Sequence, residues 1–149
     1  MSMFAAFDVN ASGLTAQRYR MDIISQNLAN ANTTRTADGT PYRRKTVTFA
    51  EKSGQTTFSH VLGKAAYSHG YTGQGVKVSG VYDDYATEMN MVYDPSHPDA
   101  DENGYVTYPN VNIITEMTNM IDASRAYEAN ATAFSASKSM ALRGLQMNS

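Results

Sequence analysis

The feature that most constrains the fold of this chain is a long amphipathic segment near the C-terminus, from Tyr108 to Leu145. Its apolar residues recur in alternating steps of four and three, the pattern of a helix that packs lengthwise against another helix. Pro109 precedes the pattern, and Arg143 and Gly144 supply a cation and a terminating glycine at its end. From Ile113 to Arg143 the helix would be roughly 45 Å long at about 1.5 Å per residue. The stripe consists of Ile113, Met117, Met120, Ser124, Tyr127, Ala131, Phe134, Lys138, Ala141 and Leu145.

The N-terminal segment from Phe4 to Ala31 carries a second stripe with the same spacing. Gly13 weakens this helix by about 1 kcal/mol relative to Ala, and Asn27 and Asn30 compete for backbone hydrogen bonds near its end. A helix of this kind gains most of its stability from tertiary packing. We therefore predict that the two terminal helices pair as an antiparallel, coiled-coil-like hairpin. The N-terminal stripe consists of Phe7, Ala11, Leu14, Arg18, Met21, Ser25 and Leu28.

The residues between the two helices predict a small extended or β-rich insert. Asn32–Thr40 is rich in turn-forming residues, and Thr46–Phe49 alternates as a strand does. Val76–Tyr82 and Glu88–Tyr93 predict two further strands, which a turn at Asp83–Asp84 would join as an antiparallel hairpin.

The predicted elements define an α+β fold with two parts. Residues 4–31 and 109–146 form a discontinuous helical core, and residues 32–108 form the insert. Within the insert, residues 51–75 scatter glycines among Ser, Thr, His and Gln and are predicted to be mostly loop. Asp94–Tyr108 is predicted to be a turn-rich connector that leads into the second helix.

The composition argues against several classes of function. A chain of 149 residues with a formal net charge of −2 has no overall positive field for nucleic acid or an anionic membrane. It contains no cysteine, so disulfides and thiolate metal sites are excluded. The N-terminus lacks a basic segment followed by an apolar run, and no apolar run approaches 18 residues. Composition alone therefore predicts a cytoplasmic protein.

One acidic segment matches part of a calcium-binding loop. Residues 99–104, with the sequence Asp-Ala-Asp-Glu-Asn-Gly, fit the first six positions of an EF-hand loop. The twelfth position should be a bidentate Glu and is Asn110, while Pro98 and Pro109 stand where the flanking helices should pack. A solvated acidic turn is the simpler interpretation. A small calcium-dependent binding module is the alternative.

No other set of residues predicts catalysis or a cofactor. His60, His69 and His97 are not at metal-ligand spacing, and no nucleophile elbow or phosphate-binding loop occurs. Arg43-Arg44-Lys45 is more typical of a solvated strand edge or a local salt bridge than of a site for an anionic partner. We therefore expect a protein that is not an enzyme and that holds no cofactor or metal.

The C-terminal helix carries more apolar surface than one partner helix can cover. A monomeric helical hairpin buried against its own insert is the usual arrangement of such helices. Here the insert offers little core to cover the extra residues, so the surplus indicates contacts with helices of other subunits. The additional apolar positions are Ile114, Ile121, Ala133 and Leu142.

Several short segments at both ends of the chain form one recognisable set. Ser12-Gly13-Leu14-Thr15-Ala16-Gln17-Arg18 and Asn27-Leu28-Ala29-Asn30 resemble the N-terminal signature of the bacterial flagellar rod and hook proteins. Other segments resemble the proximal-rod members of that family. These are residues 39–44, 93–100, 104–112 and 125–130.

The resemblance implies a structural subunit of the flagellar basal-body rod, the drive shaft between the membrane ring and the distal rod and hook. The implied partners are further copies of the chain, other proximal and distal rod proteins, the junction protein between membrane ring and rod, and the flagellar type III export apparatus. It also implies export without a cleaved signal peptide to the periplasmic part of the basal body, which replaces the cytoplasmic prediction. No nucleic acid or small-molecule substrate is expected. We expect the assembly interface to include Phe7, Leu14, Met21, Asn27, Leu28, Asn30, Ile113, Met117, Met120, Tyr127, Phe134 and Leu145.

Overall fold

The computed structural model describes residues 3–52 and 74–146 of the chain. Most of the predicted loop at 51–75 lies outside these residues. The described part contains helices and short antiparallel strands, in agreement with the predicted α+β class. The elements in order are α1 Met3–Ala29, β1 Lys45–Glu51, β2 Val76–Asp83, β3 Asn90–Tyr93, β4 Tyr105–Tyr108 and α2 Ile113–Gln146.

The two helices run antiparallel and are in contact over most of α1. Near the start of α1, the ring of Phe7 meets the ring of Phe134 edge-on, with 5.1 Å between centroids. Near the end of α1, Asn27 Nδ2 donates to Glu116 Oε2 at 2.9 Å. With 27 and 34 residues, the helices are about 40 and 51 Å long at about 1.5 Å per residue. The α2 helix therefore extends beyond α1.

The α2 helix begins at Ile113, the first residue of the predicted apolar stripe, and not at Tyr108, where the predicted segment starts. Tyr108 is the last residue of β4, and Asn112 caps the helix by accepting a hydrogen bond from the backbone N–H of Thr115 at 3.1 Å. Asparagine is a favoured N-cap because its side-chain oxygen satisfies one of the free N–H groups of the first turn. The apolar pattern alone could not distinguish a strand residue from the first helical turn.

The predicted hairpin between β2 and β3 is wrong. β2 pairs with β1 and β3 pairs with β4, each as a two-stranded antiparallel sheet. In the first sheet Lys45 lies opposite Asp83 and Glu51 lies opposite Val76, with a register shift after Thr48 that leaves one extra residue in β2. In the second sheet Asn90 lies opposite Tyr108.

A tight turn at Asp84 explains why β2 does not continue into β3. The carboxylate Oδ1 of Asp84 accepts hydrogen bonds from the backbone N–H groups of Ala86 and Thr87, at 3.0 and 3.1 Å. This side-chain turn directs the chain away from the sheet. The backbone N–H of Asp84 also donates to the carbonyl of Arg44 at 2.8 Å, which continues the bonding between β1 and β2.

The predicted connector at 94–108 contains a strand that the sequence pattern did not reveal. β4 presents Val106 to the interior with no exposure and leaves Tyr105 exposed, as the alternation of a half-buried strand requires. Tyr, Val and Thr favour strands, but four residues between turns are too few for a clear period.

The stripe of α2 that faces α1 coincides with the predicted one at Phe134 but differs from it near the start of the helix. Ile113 and Met117, two members of the predicted stripe, are 48% and 55% exposed. The contact stripe contains small and polar side chains, so a count of apolar residues places it incorrectly. The observed contact residues of α2 include Glu116, Ala123, Asn130 and Phe134.

Gly13 is the point of close approach between the helices. A Cβ atom at this position would lie 2.8 Å from Oδ1 of Asn130 on α2. The glycine that weakens α1 as an isolated helix therefore allows the second helix to pack against it.

We expect Gly13→Val to reduce the free energy of unfolding by about 1–3 kcal/mol, because the added side chain overpacks the contact with Asn130. Urea unfolding followed by circular dichroism measures the loss. Gly144→Val is the matched control, since a Cβ there has no atom within 4 Å. Equal effects of the two substitutions would contradict a close contact at Gly13.

Candidate assembly interface

Ser12 attaches the insert to α1. Its hydroxyl donates to the carbonyl of Val9 at 2.7 Å and accepts a hydrogen bond from the backbone N–H of Val76 at 3.1 Å. Gly75 has a φ of 95°, and a Cβ at this position would collide with the Ser12 hydroxyl. Two adjacent residues of α1 thus contact different elements. Ser12 forms a hydrogen bond with β2, and Gly13 leaves space for α2.

Asn27 joins α1 to the insert and to α2. Its amide nitrogen donates to the carbonyl of Lys45 at 2.8 Å and to Glu116 Oε2 at 2.9 Å. Its oxygen accepts hydrogen bonds from Tyr42 Oη and from the backbone N–H of Lys45, both at 2.9 Å. An asparagine side chain can make four such bonds, and all four are made at 1% exposure.

Glu116 is a buried carboxylate that three donor side chains bind, and one of them, Arg44, neutralises its charge. Its Oε1 accepts from Arg44 Nε and Nη2 at 2.9 and 2.8 Å, and from Asn119 Nδ2 at 3.3 Å. Its Oε2 accepts from Asn27. An unpaired carboxylate that is 1% exposed would be strongly destabilising, and the Arg44 guanidinium supplies the opposite charge that offsets this cost.

Asn110 completes this network from the segment that precedes α2. Its oxygen accepts from the backbone N–H of Arg44 at 2.9 Å, and its nitrogen donates to the carbonyls of Asp84 and Thr87 at 2.9 and 3.1 Å. We call the connected set the polar junction, because it links α1, β1, the turn between the two sheets and α2. The polar junction consists of Asn27, Tyr42, Arg44, Asn110 and Glu116.

The electrostatics of the polar junction keep Tyr42 in its donor form. Burial is the main cause that raises the pKa of the Tyr42 phenol, and the carboxylates of Asp83 and Glu116 raise it further. The protonated hydroxyl can then donate to Asn27 across the ordinary pH range. By contrast, hydrogen bonds from Thr87, and then from Ala86 and Arg44, hold the pKa of Asp84 below its ordinary value of 3.8.

The outer surface of α2 carries exposed apolar residues near both helix ends. Ile114 is 77% exposed and Ile121 is 53% exposed, and they lie two turns apart on the same side of the helix. The first cluster consists of Ile113, Ile114, Met117 and Ile121. The second cluster consists of Met140, Leu142 and Leu145.

The predicted interface residues fall into two groups. Asn27 is buried inside the chain, where its hydrogen bonds are made, so it does not lie on a surface that a neighbouring subunit could reach. Asn30 is partly exposed and bonds to the carbonyl of Gln26 at the end of α1. The exposed members are Ile113, Met117, Tyr127 and Leu145, and the partly buried members are Phe7, Leu14, Met21, Leu28, Met120 and Phe134.

The acidic loop at 99–104 is engaged in contacts within the chain. Asp99 accepts a hydrogen bond from Thr34 at 2.8 Å and lies 3.7 Å from Arg35, while Asp101 accepts from the backbone N–H groups of Asn103 and Tyr105. In residues 3–52 and 74–146, no group of three or more His, Asp or Glu side chains is placed to hold a metal ion. The calcium-binding alternative gains no support.

The roles of Asn110 and Ser12 in joining the elements have no signal in the sequence pattern, whereas Arg44 has one. Arg44 belongs to the basic triplet, and its ion pairs confirm the interpretation of that triplet as a local salt-bridge partner. The position of Glu116 is itself a signal, because it lies seven residues before Ala123 and therefore on the same side of α2. A charged residue on such a side requires a partner of opposite charge.

Neither helix in the described ranges is both long and apolar enough to cross a membrane.

Comparisons with known proteins match both ends of the chain. A family model described as Flagella basal body rod protein matches residues 7–35, and one described as Flagellar basal body rod FlgEFG protein C-terminal matches residues 102–147. The Flagellar basal-body rod protein FlgC of Bacillus subtilis is 44% identical over 99% of each chain. The FlgC proteins of Borreliella burgdorferi and Salmonella typhimurium are 45% and 39% identical, over 94% and 99% of this chain and 93% and 98% of their own.

We expect Arg44→Met to destabilise the chain by about 3 kcal/mol, because it leaves the Glu116 carboxylate buried without a cation. Urea unfolding measures the change. Arg35→Met is the control, since that side chain is 71% exposed and its ion pair with Asp99 should contribute about 1 kcal/mol or less. A loss at Arg44 no larger than that at Arg35 would contradict the role of the polar junction.

We expect acid to weaken the attachment of the insert through Asp84. Because its folded-state pKa is below 3.8, its ionisation stabilises the fold above that pH, and this contribution is lost as pH falls toward the folded-state pKa. Asp84→Asn should therefore be less stable than the unmodified chain at neutral pH and should lose less stability between pH 4 and pH 2. Parallel acid titrations of both chains, followed by tyrosine fluorescence, measure the difference.

Proposed function

The chain belongs to the FlgC family of flagellar basal-body rod proteins, and from that premise we propose that it assembles by packing the exposed apolar faces of its terminal helices against neighbouring subunits. It is a structural subunit of the basal-body rod. We further propose a place in the proximal rod, where the subunits form part of the shaft that carries torque to the distal rod and hook.

The exposed apolar cluster at the start of α2 is the observation that supports assembly through the helices. Ile113, Ile114, Met117 and Ile121 are 48%, 77%, 55% and 53% exposed, on the first three turns of a helix whose opposite side is already packed on α1. Contiguous apolar surface of this kind favours a packed neighbour over water. This cluster is the apolar surface of α2 that remains uncovered after α1 has packed on the other side of the helix.

We propose that residues 4–31 and 109–146 form the assembly core and that residues 32–108 form an insert attached to it. The antiparallel contact of α1 and α2 supports this division, and in the rod we expect the pair to be coiled-coil-like. The polar junction supports a stiff connection, because Asn27 and Glu116 join the insert to both helices through hydrogen bonds. A stiff connection suits a shaft that must resist twisting.

The proposed partners are further copies of the chain, other proximal and distal rod proteins, and the junction protein between the membrane ring and the rod. The basal body is the proposed location, in its periplasmic part. We also propose export through the flagellar type III apparatus in an unfolded state. The small buried core of the described residues favours that route, because few apolar side chains must be exposed on unfolding.

We expect the double substitution Ile114→Asp and Ile121→Asp to abolish incorporation into rods while the chain stays folded. Carboxylates on the first apolar cluster would have to be desolvated in a packed interface, which is strongly unfavourable. Both side chains are exposed in the chain itself, so each substitution should change the free energy of unfolding by about 0.5 kcal/mol or less. Immunoblots of purified basal bodies measure incorporation, and circular dichroism checks the fold.

The control for this experiment is Thr132→Asp, which adds a carboxylate to the exposed polar middle of α2. It should enter rods at a normal level. Incorporation of the Ile114 and Ile121 double variant at the level of Thr132→Asp would disprove assembly through this cluster.

A further inference from the structure

An unpartnered apolar strand lies at one end of the subunit. All four residues of β3 are exposed, and its apolar members Met91, Val92 and Tyr93 are 64%, 42% and 64% exposed. Tyr105 on β4 packs edge-on against Tyr93, with 5.3 Å between ring centroids, and is itself 43% exposed. Within the described residues β3 pairs with β4 alone, so its outer edge is open. Exposed apolar surface on an open strand edge favours a packed partner over water.

The stretch of sequence that contains this strand carries negative charge, and the nearby cations Arg43 and Lys45 line a pocket with Met89 and Thr107. Residues 78–124 contain no Lys or Arg, although they hold most of the 14 Asp and Glu residues of the chain. Asp94, Asp101 and Glu102 lie in the connector between β3 and β4, and Arg35 partly offsets a fourth acid, Asp99. We call β3, β4 and this connector the acidic end. Its occupant should therefore present apolar side chains next to cations.

The opposite end of the same subunit carries exposed apolar side chains next to cations. Beyond the contact between Phe7 and Phe134, described residues 135–146 contain Lys138 and Arg143 and no acidic residue. The second apolar cluster of α2, Met140, Leu142 and Leu145, lies among these cations with exposures of 66%, 52% and 68%. We call residues 135–146 the basic end.

The two ends cannot meet within one chain. The acidic end joins the N-terminus of α2, and the basic end is the C-terminus of that helix, about 50 Å away at about 1.5 Å per residue. Contact between them requires two chains. Because the contacting surfaces differ, the contact is head-to-tail and can be repeated by each added subunit.

We propose that the acidic end binds the basic end of a second copy of this chain, so that adjacent copies contact head-to-tail. This inference rests on the proposed rod function and adds the surface and the partner. Apolar contact between β3 and the second cluster of α2 supplies most of the affinity, while the opposite charges select the orientation. The contact weakens as salt concentration rises, because the charges are exposed.

Cysteine cross-linking in assembled basal bodies tests this contact, and the chain has no cysteine of its own to interfere. Asn103→Cys marks the acidic end at an exposed position, and Gly144→Cys marks the basic end where a side chain has open space. Basal bodies that contain both variants should yield, on mild oxidation, a disulfide-linked dimer of twice the 16.3 kDa chain mass. Either variant alone, or Asn103→Cys with Glu128→Cys, should yield about tenfold less.

Absence of the dimer from basal bodies that contain both variants would overturn the contact, and so would a cross-link to a different protein. Both results leave the rod function intact, since the variants are present in the rods. If the unmodified chain is itself absent from purified basal bodies, the proposed function fails and this contact fails with it.

Charge reversal gives a second test, measured as self-association of the whole chain by sedimentation at low salt. Glu102→Lys and Arg143→Glu should each weaken association by about three- to tenfold. Both changes in one chain should restore it, because opposite charges then face each other again. Failure of the double variant to recover would overturn the proposal, and circular dichroism of each variant controls for the fold.

Discussion

The arrangement of this chain depends on the burial of one carboxylate. Glu116 lies on the side of α2 that faces α1, where an unpaired charge would prevent the helices from packing. Arg44 neutralises it from the start of the insert, and Asn27 binds its second oxygen from α1. Helix pairing and insert docking therefore depend on the same side chains at this end of α1. Removing either part leaves polar groups buried without partners.

The helix α2 has an unusual division of residue types. Its inner side uses Ala123, Asn130 and the approach to Gly13, so that the backbones come close with few large apolar groups. Its outer side carries the isoleucines and methionines that a globular protein would bury. This is the reverse of an ordinary amphipathic surface helix. It suits a subunit whose largest apolar contacts are made with its neighbours.

The same division explains how far the sequence could predict the structure. The long apolar patterns identified both helices, since their period extends over many turns. Hydrophobicity predicts a contact stripe through Ile113 and Met117, whereas the observed stripe contains Glu116 and Asn130. The pattern of apolar residues also could not predict which strands pair with each other. A turn at Asp84 and a short strand at Tyr105–Tyr108 depend on side-chain hydrogen bonds and on partners distant in sequence.

The junction between Asn27 and Glu116 also has a consequence for the rate of folding. The two residues are 89 positions apart in the chain, and the aromatic contact of Phe7 and Phe134 spans a still longer loop. Closing loops of this length before any favourable contact forms is entropically unfavourable and slows the folding step. The first helix cannot acquire its native partner until the last helix has been synthesised. This delay keeps the newly made chain open for longer than a protein built from local contacts.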